Sequence, residues 1–243
     1  MKYLYILKTG TTFPETRARL GDFDDWIAAG LGRHPLSVRT VDVHNGAPLP
    51  PLGSARGFVI TGSHAMVTDE APWSVALERY VRRAVSRNVP LLGICYGHQL
   101  IAKALGGRSG YNPRGKEIGS VAVATTHHGR RDPILRGLPR RFSAHVTHAQ
   151  SAIKLPRRAR ILAGNPHDPH QAVRFASCCW GVQIHPEFDR GIMQAYIFAQ
   201  EAALAGMGVD TASLARRVAS RRSATAILKN FAALLRSPAV SVQ

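Results

Sequence analysis

Val89-Pro90-Leu91-Leu92-Gly93-Ile94-Cys95-Tyr96-Gly97-His98-Gln99 is the stretch that decides the fold. An apolar run opened by a proline reads as a buried strand, and residues 96–105, closed by Gly106 and Gly107, read as a helix with a glycine cap. Cys95 stands between the two in a Gly-x-Cys-x-Gly turn. A tight strand-to-helix turn projects its central side chain, and flanking glycines remove the clashes such a turn creates. The unpaired amides and dipole of the helix start favour a thiolate there, which makes Cys95 a candidate nucleophile. The competing reading is a buried packing cysteine, the common fate of a lone Cys.

Upstream of this stretch, apolar runs at 3–7, 37–43 and 57–61 read as strands, with helical patterns at 14–29 and from Trp73 to Val85, the latter opened by Pro72. Strand and helix alternation predicts an α/β fold with a mostly parallel central sheet flanked by helices. Downstream of Gly107 the pattern changes to strands without long helices, at 118–124, 141–147, 160–163, 171–175 and 180–184, which predicts an antiparallel extension of the sheet. From Asp189 the chain is helical again, with further helices expected at 213–222 and 224–235. No linker rich in Pro, Gly or Ser divides it. Residues 1–243 are therefore read as one unit, with 189–243 a helical C-terminal extension.

A second stretch, Trp180-Gly181-Val182-Gln183-Ile184-His185-Pro186-Glu187-Phe188, supplies what a nucleophilic cysteine lacks. Side chains two apart on an extended segment point the same way, so Glu187 can fix the tautomer of His185 while the imidazole faces the thiol. Taken alone, His185 reads as a core histidine and Glu187 as a solvated strand end. With the Cys95 turn, the two complete a triad.

Gly93-Ile94-Cys95-Tyr96-Gly97-His98-Gln99 together with His185-Pro186-Glu187 resembles the class I glutamine amidotransferase domain, especially its standalone GMP-synthase-like members. The resemblance implies a flavodoxin-like fold and thioester chemistry on the γ-carboxamide of glutamine, with Cys95, His185 and Glu187 as the catalytic residues. It implies an oxyanion hole from the amides of Ser63 and Tyr96, each such donor being worth about 3 kcal/mol. Gly62, Gln99, Ala149 and Gln150 are implied as substrate-binding. His64 and Gln150 depart from the residues common at their positions. Asn112 to Gly119 also resembles a segment of the standalone relatives, without a mechanistic role. No cofactor is implied. The partners implied are glutamine or a γ-glutamyl small molecule and an ammonia-accepting synthetase subunit. Making GMP also needs an ATP-pyrophosphatase loop of the form Ser-Gly-Gly-x-Asp-Ser, which is not found here, so this chain is not expected to make GMP alone. Two alternatives stay open: a self-sufficient γ-glutamyl hydrolase or peptidase, and a catalytically silent regulatory subunit.

Composition bounds the rest. Lys and Arg number 32 against 15 Asp and Glu, a formal net charge of +17. Residues 130–160 hold much of that excess, with Asp132 their one acid. The cluster matches no nucleic-acid module and has few aromatics, so solvated surface is the leading reading, ahead of an acidic partner or anionic acceptor substrate and of specific nucleic-acid binding. The three cysteines, Cys95, Cys178 and Cys179, make no disulfide framework. Without a visible secretory signal or an apolar run near the ~20 residues of a membrane helix, a cytoplasmic location is expected. His127-His128 and His167-Asp168-Pro169-His170 lie in turn-like stretches without a convergent further ligand, so no metal site is expected.

Overall fold

The computed structural model describes residues 2–220 and 223–236. In chain order the elements are β1 (Tyr3–Lys8), α1 (Pro14–Leu20), α2 (Phe23–Gly30), β2 (Val38–Asp42), β3 (Ala55–Ile60), α3 (Pro72–Ser86), β4 (Leu91–Ile94), α4 (Tyr96–Ala104), β5 (Arg108–Tyr111) and β6 (Glu117–Thr125). They continue as β7 (Arg141–His148), β8 (Gln150–Lys154), β9 (Arg160–Gly164), β10 (Ala172–Ala176), β11 (Cys179–Val182), α5 (Arg190–Ala199), α6 (Glu201–Ala205), α7 (Thr211–Arg216) and α8 (Ala226–Leu234).

The main sheet runs β2-β1-β3-β4-β11-β10-β9-β6-β7. Its first five strands are parallel, and from β11 onward every pairing is antiparallel. This is the parallel sheet with an antiparallel extension that the change of texture after Gly107 predicts. Along β1, Leu4 and Ile6 enter one core while Tyr5 and Leu7 enter the other, as period-two alternation requires when both faces are covered. Ile27 of α2 and Ile227, Leu228 and Phe231 of α8 pack in the first core. Leu77, Tyr80 and Val81 of α3 and Leu100 and Ile101 of α4 pack in the second. A third cluster joins Phe23 and Trp26 to Phe188, Ile192, Met193 and Tyr196, seating α5 against α2 beside the C-terminal ends of the parallel strands.

Four sequence expectations change. The helix expected at 14–29 is two helices, because Gly21 adopts φ 84° and Asp22 opens α2 with a reciprocal capping box to Asp25. A two-stranded sheet, β5 with β8, adds to the expected architecture; β5 is short and contains Gly110, so it carries no alternation to read. The helix expected at 213–222 spans Thr211–Arg216, and Arg221 and Arg222 lie outside the described residues. The strand expected through Ile184 ends at Val182. No helix among the described residues is long and apolar enough to cross a membrane.

Gly93 shows how tightly α4 sits on β4. A Cβ at this position would lie 2.5 Å from the carbonyl of Gly97 and 2.6 Å from Ile101 Cδ1. Backbone cannot move aside as a flexible side chain can, so Gly93→Ala is expected to destabilise the protein by about 3 kcal/mol. Denaturant unfolding checks this, and a midpoint within error of the wild type would show that the β4–α4 junction has slack.

Candidate active site

Cys95 joins β4 to α4 with φ 48° and ψ −100°, a left-handed conformation that is strained for a residue with a side chain. Such strain costs about 1–3 kcal/mol and survives only where the surroundings fix it. Here the Cys95 amide donates to Val182 O at 2.8 Å, and the Gly97 amide to Thr61 O at 3.3 Å. A Cβ on Gly97 would come within 2.7 Å of Ile60 O, so this glycine is required by the approach of α4 to β3. The strained turn aims the thiol at a cavity of about 470 Å³. Its sulfur has Thr147 O at 3.9 Å and Gln183 Nε2 at 3.5 Å.

His185 follows β11, the strand beside β4, so sheet order brings it to the same cavity. Its amide donates to His145 O at 2.8 Å. Nδ1 lies 2.7 Å from Glu187 Oε1, and the carboxylate is fully buried. The contact forms by a different route from the one expected. Beyond Val182 the chain has left the strand, and the Phe188 amide returns to His185 O at 3.3 Å in a turn. This turn, rather than extended alternation, folds Glu187 back on the ring. Phe188 also stacks on the imidazole, with ring centroids 4.1 Å apart. Burial by itself disfavours a charged His185, but Glu187 and the Cys95 sulfur outweigh it and carry its pKa up to about 10. His185 Nε2 stops short of a complete hydrogen bond, while the ring stays close enough to the sulfur for the two to attract.

The loop after β3 closes the floor. A Cβ on Gly62 would lie 3.0 Å from His185 Cε1 and 3.7 Å from Cys95 Cβ, so the backbone here passes directly beneath both groups. The loop is held by Thr9 Oγ1, which donates to Thr61 O and Gly62 O, each at 3.1 Å. Ser63 Oγ donates to Thr9 O at 2.7 Å, so the side chain anchors the loop. Ser63 and Tyr96 both line the cavity, and the Tyr96 amide, first in α4, has no acceptor within the helix. Gln99, Ala149 and Gln150 line it as well. Gln99 Nε2 donates to Gln150 O at 2.7 Å, tying α4 to the start of β8.

Several residues at the site carry no assigned role in the sequence, among them His64, which stands out there only as a departure, and Lys116, which lies in the Asn112–Gly119 segment. Gln183 accepts from Gln99 at 3.1 Å and donates towards Cys95, linking the two stretches that carry the motifs. Phe23, far upstream, lies nearly parallel to His185 at 6.3 Å. His64 faces Phe13 at 4.3 Å and Tyr196 OH at 3.4 Å, and burial together with the nearby His185 charge holds its pKa down. Lys116 and Gln200 complete the wall. The position of Gln183 two residues before His185 was a usable signal. Phe23 and Tyr196 converge only through tertiary packing.

The other two cysteines lie elsewhere: Cys179 begins β11 and Cys178 precedes it, and burial raises both thiol pKa values. Of the histidines weighed for a metal, His167 Nε2 meets Gly115 O at 3.0 Å and His170 Nδ1 meets Ala152 O at 2.7 Å. Arg131, Arg160 and Arg174 gather with His127 and His128 around a surface hollow. Arg174 pairs with Trp180 at the end of β11 remote from His185, so this basic region occupies the opposite pole from Cys95.

Comparison with known proteins places these features in a wider set. The family model described as glutamine amidotransferase class-I matches residues 34–204. One subunit of the glutamine-hydrolyzing GMP synthase of Pyrococcus furiosus is 40% identical over 155 residues, 63% of this chain and 78% of that protein. The glutamine-hydrolyzing GMP synthase of Aeropyrum pernix is 35% identical over 136 residues, 56% of this chain but only 25% of that protein's length. Gamma-glutamyl peptidase 4 of Arabidopsis thaliana is 27% identical over 200 residues, 79% of this chain and 78% of that protein. Among solved structures, a glutamine amidotransferase from Thermotoga maritima superimposes with a TM-score of 0.77 over 98% of this chain and all of the other, at 20% identity, a likeness of fold.

Proposed function

The chain belongs to the class-I glutamine amidotransferase family, and on that premise we propose that it hydrolyses the γ-carboxamide of glutamine, or a related γ-glutamyl amide, through a thioester on Cys95. One observation carries the reading: a cysteine held in a strained elbow and a carboxylate-backed histidine meet over the same glycine floor of one cavity. The Cys95 sulfur attacks the amide carbon, forming the C–S bond. The oxyanion of the tetrahedral intermediate is received by the amides of Ser63 and Tyr96. His185, protonated and balanced by Glu187, gives its proton to the departing nitrogen as the C–N bond breaks. The neutral imidazole then takes a proton from water, whose oxygen displaces the sulfur and releases glutamate. Gly62, Gln99, Ala149 and Gln150 hold the glutamyl half.

The ammonia passes to an acceptor. The Pyrococcus furiosus relative is named as part of a glutamine-hydrolyzing synthase, which supports a synthetase as partner. A second reading, a self-sufficient γ-glutamyl hydrolase or peptidase, is favoured by the name of the Arabidopsis relative and by the 470 Å³ cavity, which is of a size that takes whole small ligands. The Cys95, His185 and Glu187 set argues against a silent regulatory role. Purified protein incubated with glutamine and a panel of γ-glutamyl compounds, with and without cell extract, is expected to release ammonia or amine and to form an acid-stable thioester at Cys95. Release without any adduct at Cys95 would overturn the mechanism.

A further inference from the structure

We propose that Gln183 is a further catalytic residue: its side-chain amide donates to the Cys95 sulfur and stabilises it as the leaving group when water breaks the thioester. The inference deepens the thioester reading above and rests on it.

Sheet register puts the two residues side by side. Val182, the last residue of β11, is the parallel partner of Ile94, the last of β4, so Gln183 and Cys95 leave the sheet together. The Gln183 backbone amide donates to Gln171 O at 2.9 Å, and the residue is fully buried. Its Nε2 lies 3.5 Å from the Cys95 sulfur. The direction of that contact follows from the chain of amides behind it. Gln150 O is a backbone carbonyl and can only accept, so the Gln99 atom facing it at 2.7 Å is Nε2. The same Nε2 reaches Gln183 at 3.1 Å and needs an acceptor there, which makes Oε1 the Gln183 atom that meets it. Nε2 of Gln183 is thereby turned to the sulfur. Thr147 O, at 3.9 Å, offers the sulfur no proton. Among the described residues, Gln183 is the side chain besides His185 that brings a donor to Cys95.

The timing of charge on the sulfur sets what this donor can do. The sulfur is negative before it attacks and again once the C–S bond has broken, and it is neutral in the thioester between. A hydrogen bond to an ionised acceptor is the stronger kind, so the bond from Gln183 is weakest in the thioester. It strengthens as the water oxygen joins the carbonyl carbon, the water proton passes to His185, and the electron pair of the breaking C–S bond returns to sulfur. Only an interaction that gains strength on the way to the transition state accelerates a step. Gln183 therefore assists breakdown of the thioester and not its formation. Gln99 lines the cavity and Gln183 does not, so Gln183 acts on a substrate either through the sulfur or through Gln99.

Gln183→Met separates these routes, because methionine keeps the length of the side chain and removes its N–H. Wild type, Gln183→Met, Gln183→Leu and Gln99→Met are compared with glutamine and γ-glutamyl p-nitroanilide, following steady-state turnover and, after acid quenching, the decay of the Cys95 thioester. Gln183→Met is expected to slow that decay about tenfold, the lower end of what a hydrogen bond to a charged group is worth. Thioester should accumulate, and kcat and KM should fall together with kcat/KM close to the wild type, since kcat/KM reports the steps up to thioester formation. Gln99→Met should instead raise KM and leave the decay rate near the wild type. Gln183→Leu provides a second variant should Gln183→Met unfold. A folded Gln183 variant whose thioester decays at the wild-type rate overturns the proposal. So does one that raises KM as Gln99→Met does, which would reduce Gln183 to a support for Gln99. Failure of the underlying reading looks different: neither substrate is turned over, and no adduct forms at Cys95 in the wild type or any variant.

Discussion

Cys95→Ser is expected to abolish release of ammonia or amine from every substrate, a loss of at least about 10⁴-fold, while Cys178→Ser retains wild-type turnover. The difference follows from position. Cys95 occupies the strained turn at the start of α4 and opens on the cavity, whereas Cys178 is buried at the remote end of β11, where its carbonyl accepts from the Leu91 amide at 2.9 Å. A serine hydroxyl is far less readily ionised than a thiol, so the same His185 cannot activate it to the same extent. The contrast extends to labelling. Burial raises the Cys178 and Cys179 thiols, so a limiting dose of iodoacetamide should mark Cys95 first, as read by peptide mass spectrometry. Equal loss of activity from both serine variants, with unfolding curves like the wild type, would remove Cys95 from its assigned role.

The parallel half of the sheet was legible because its strands are buried on both faces and alternate with helices, so that runs such as Leu91–Ile94 stand out against their Gly and Pro punctuation. The Cys95 turn was legible for a related reason: Gly93 and Gly97 are where backbone passes against α4 and β3, and only glycine fits. The break at Gly21 could have been read from the Asp22 to Asp25 spacing, which is a capping pattern, but the apolar periodicity of Trp26 and Ile27 masked it. Phe23 and Tyr196, by contrast, are ordinary core residues in sequence. They reach the site only because the third cluster seats α5 on α2, a contact between segments far apart in the chain that no local pattern encodes.

Glu187→Gln separates orientation of the imidazole from nucleophilicity of the thiol. The amide can still hydrogen-bond Nδ1, but it can stabilise the wrong tautomer and brings no charge to balance an imidazolium. The expected loss in steady-state turnover is about 10- to 10³-fold, smaller than the ~10⁴ of the comparable substitution in serine enzymes because a thiol is intrinsically more acidic. His185→Ala should be worse, since it removes both the proton donor to the departing amine and the base for water. The effect should also depend on pH in a definite direction. Glu187 and Cys95 lift His185 to about 10 from an ordinary 6.5, so the imidazolium persists through neutral pH in the wild type. The stabilisation tied to that raised value is fully present below about pH 6.5 and is lost as pH rises through about 10. Without the carboxylate, only the Cys95 sulfur opposes burial and the His185 pKa falls, so thioester formation in Glu187→Gln should decline at a lower pH than in the wild type, and the high-pH limb of thermal stability should move to lower pH. Single-turnover thioester formation measured beside steady-state hydrolysis, from pH 6 to 10, decides the matter. If Glu187→Gln equals His185→Ala in each step, or if its pH profile superimposes on the wild type, the carboxylate is packing against the ring rather than setting its proton.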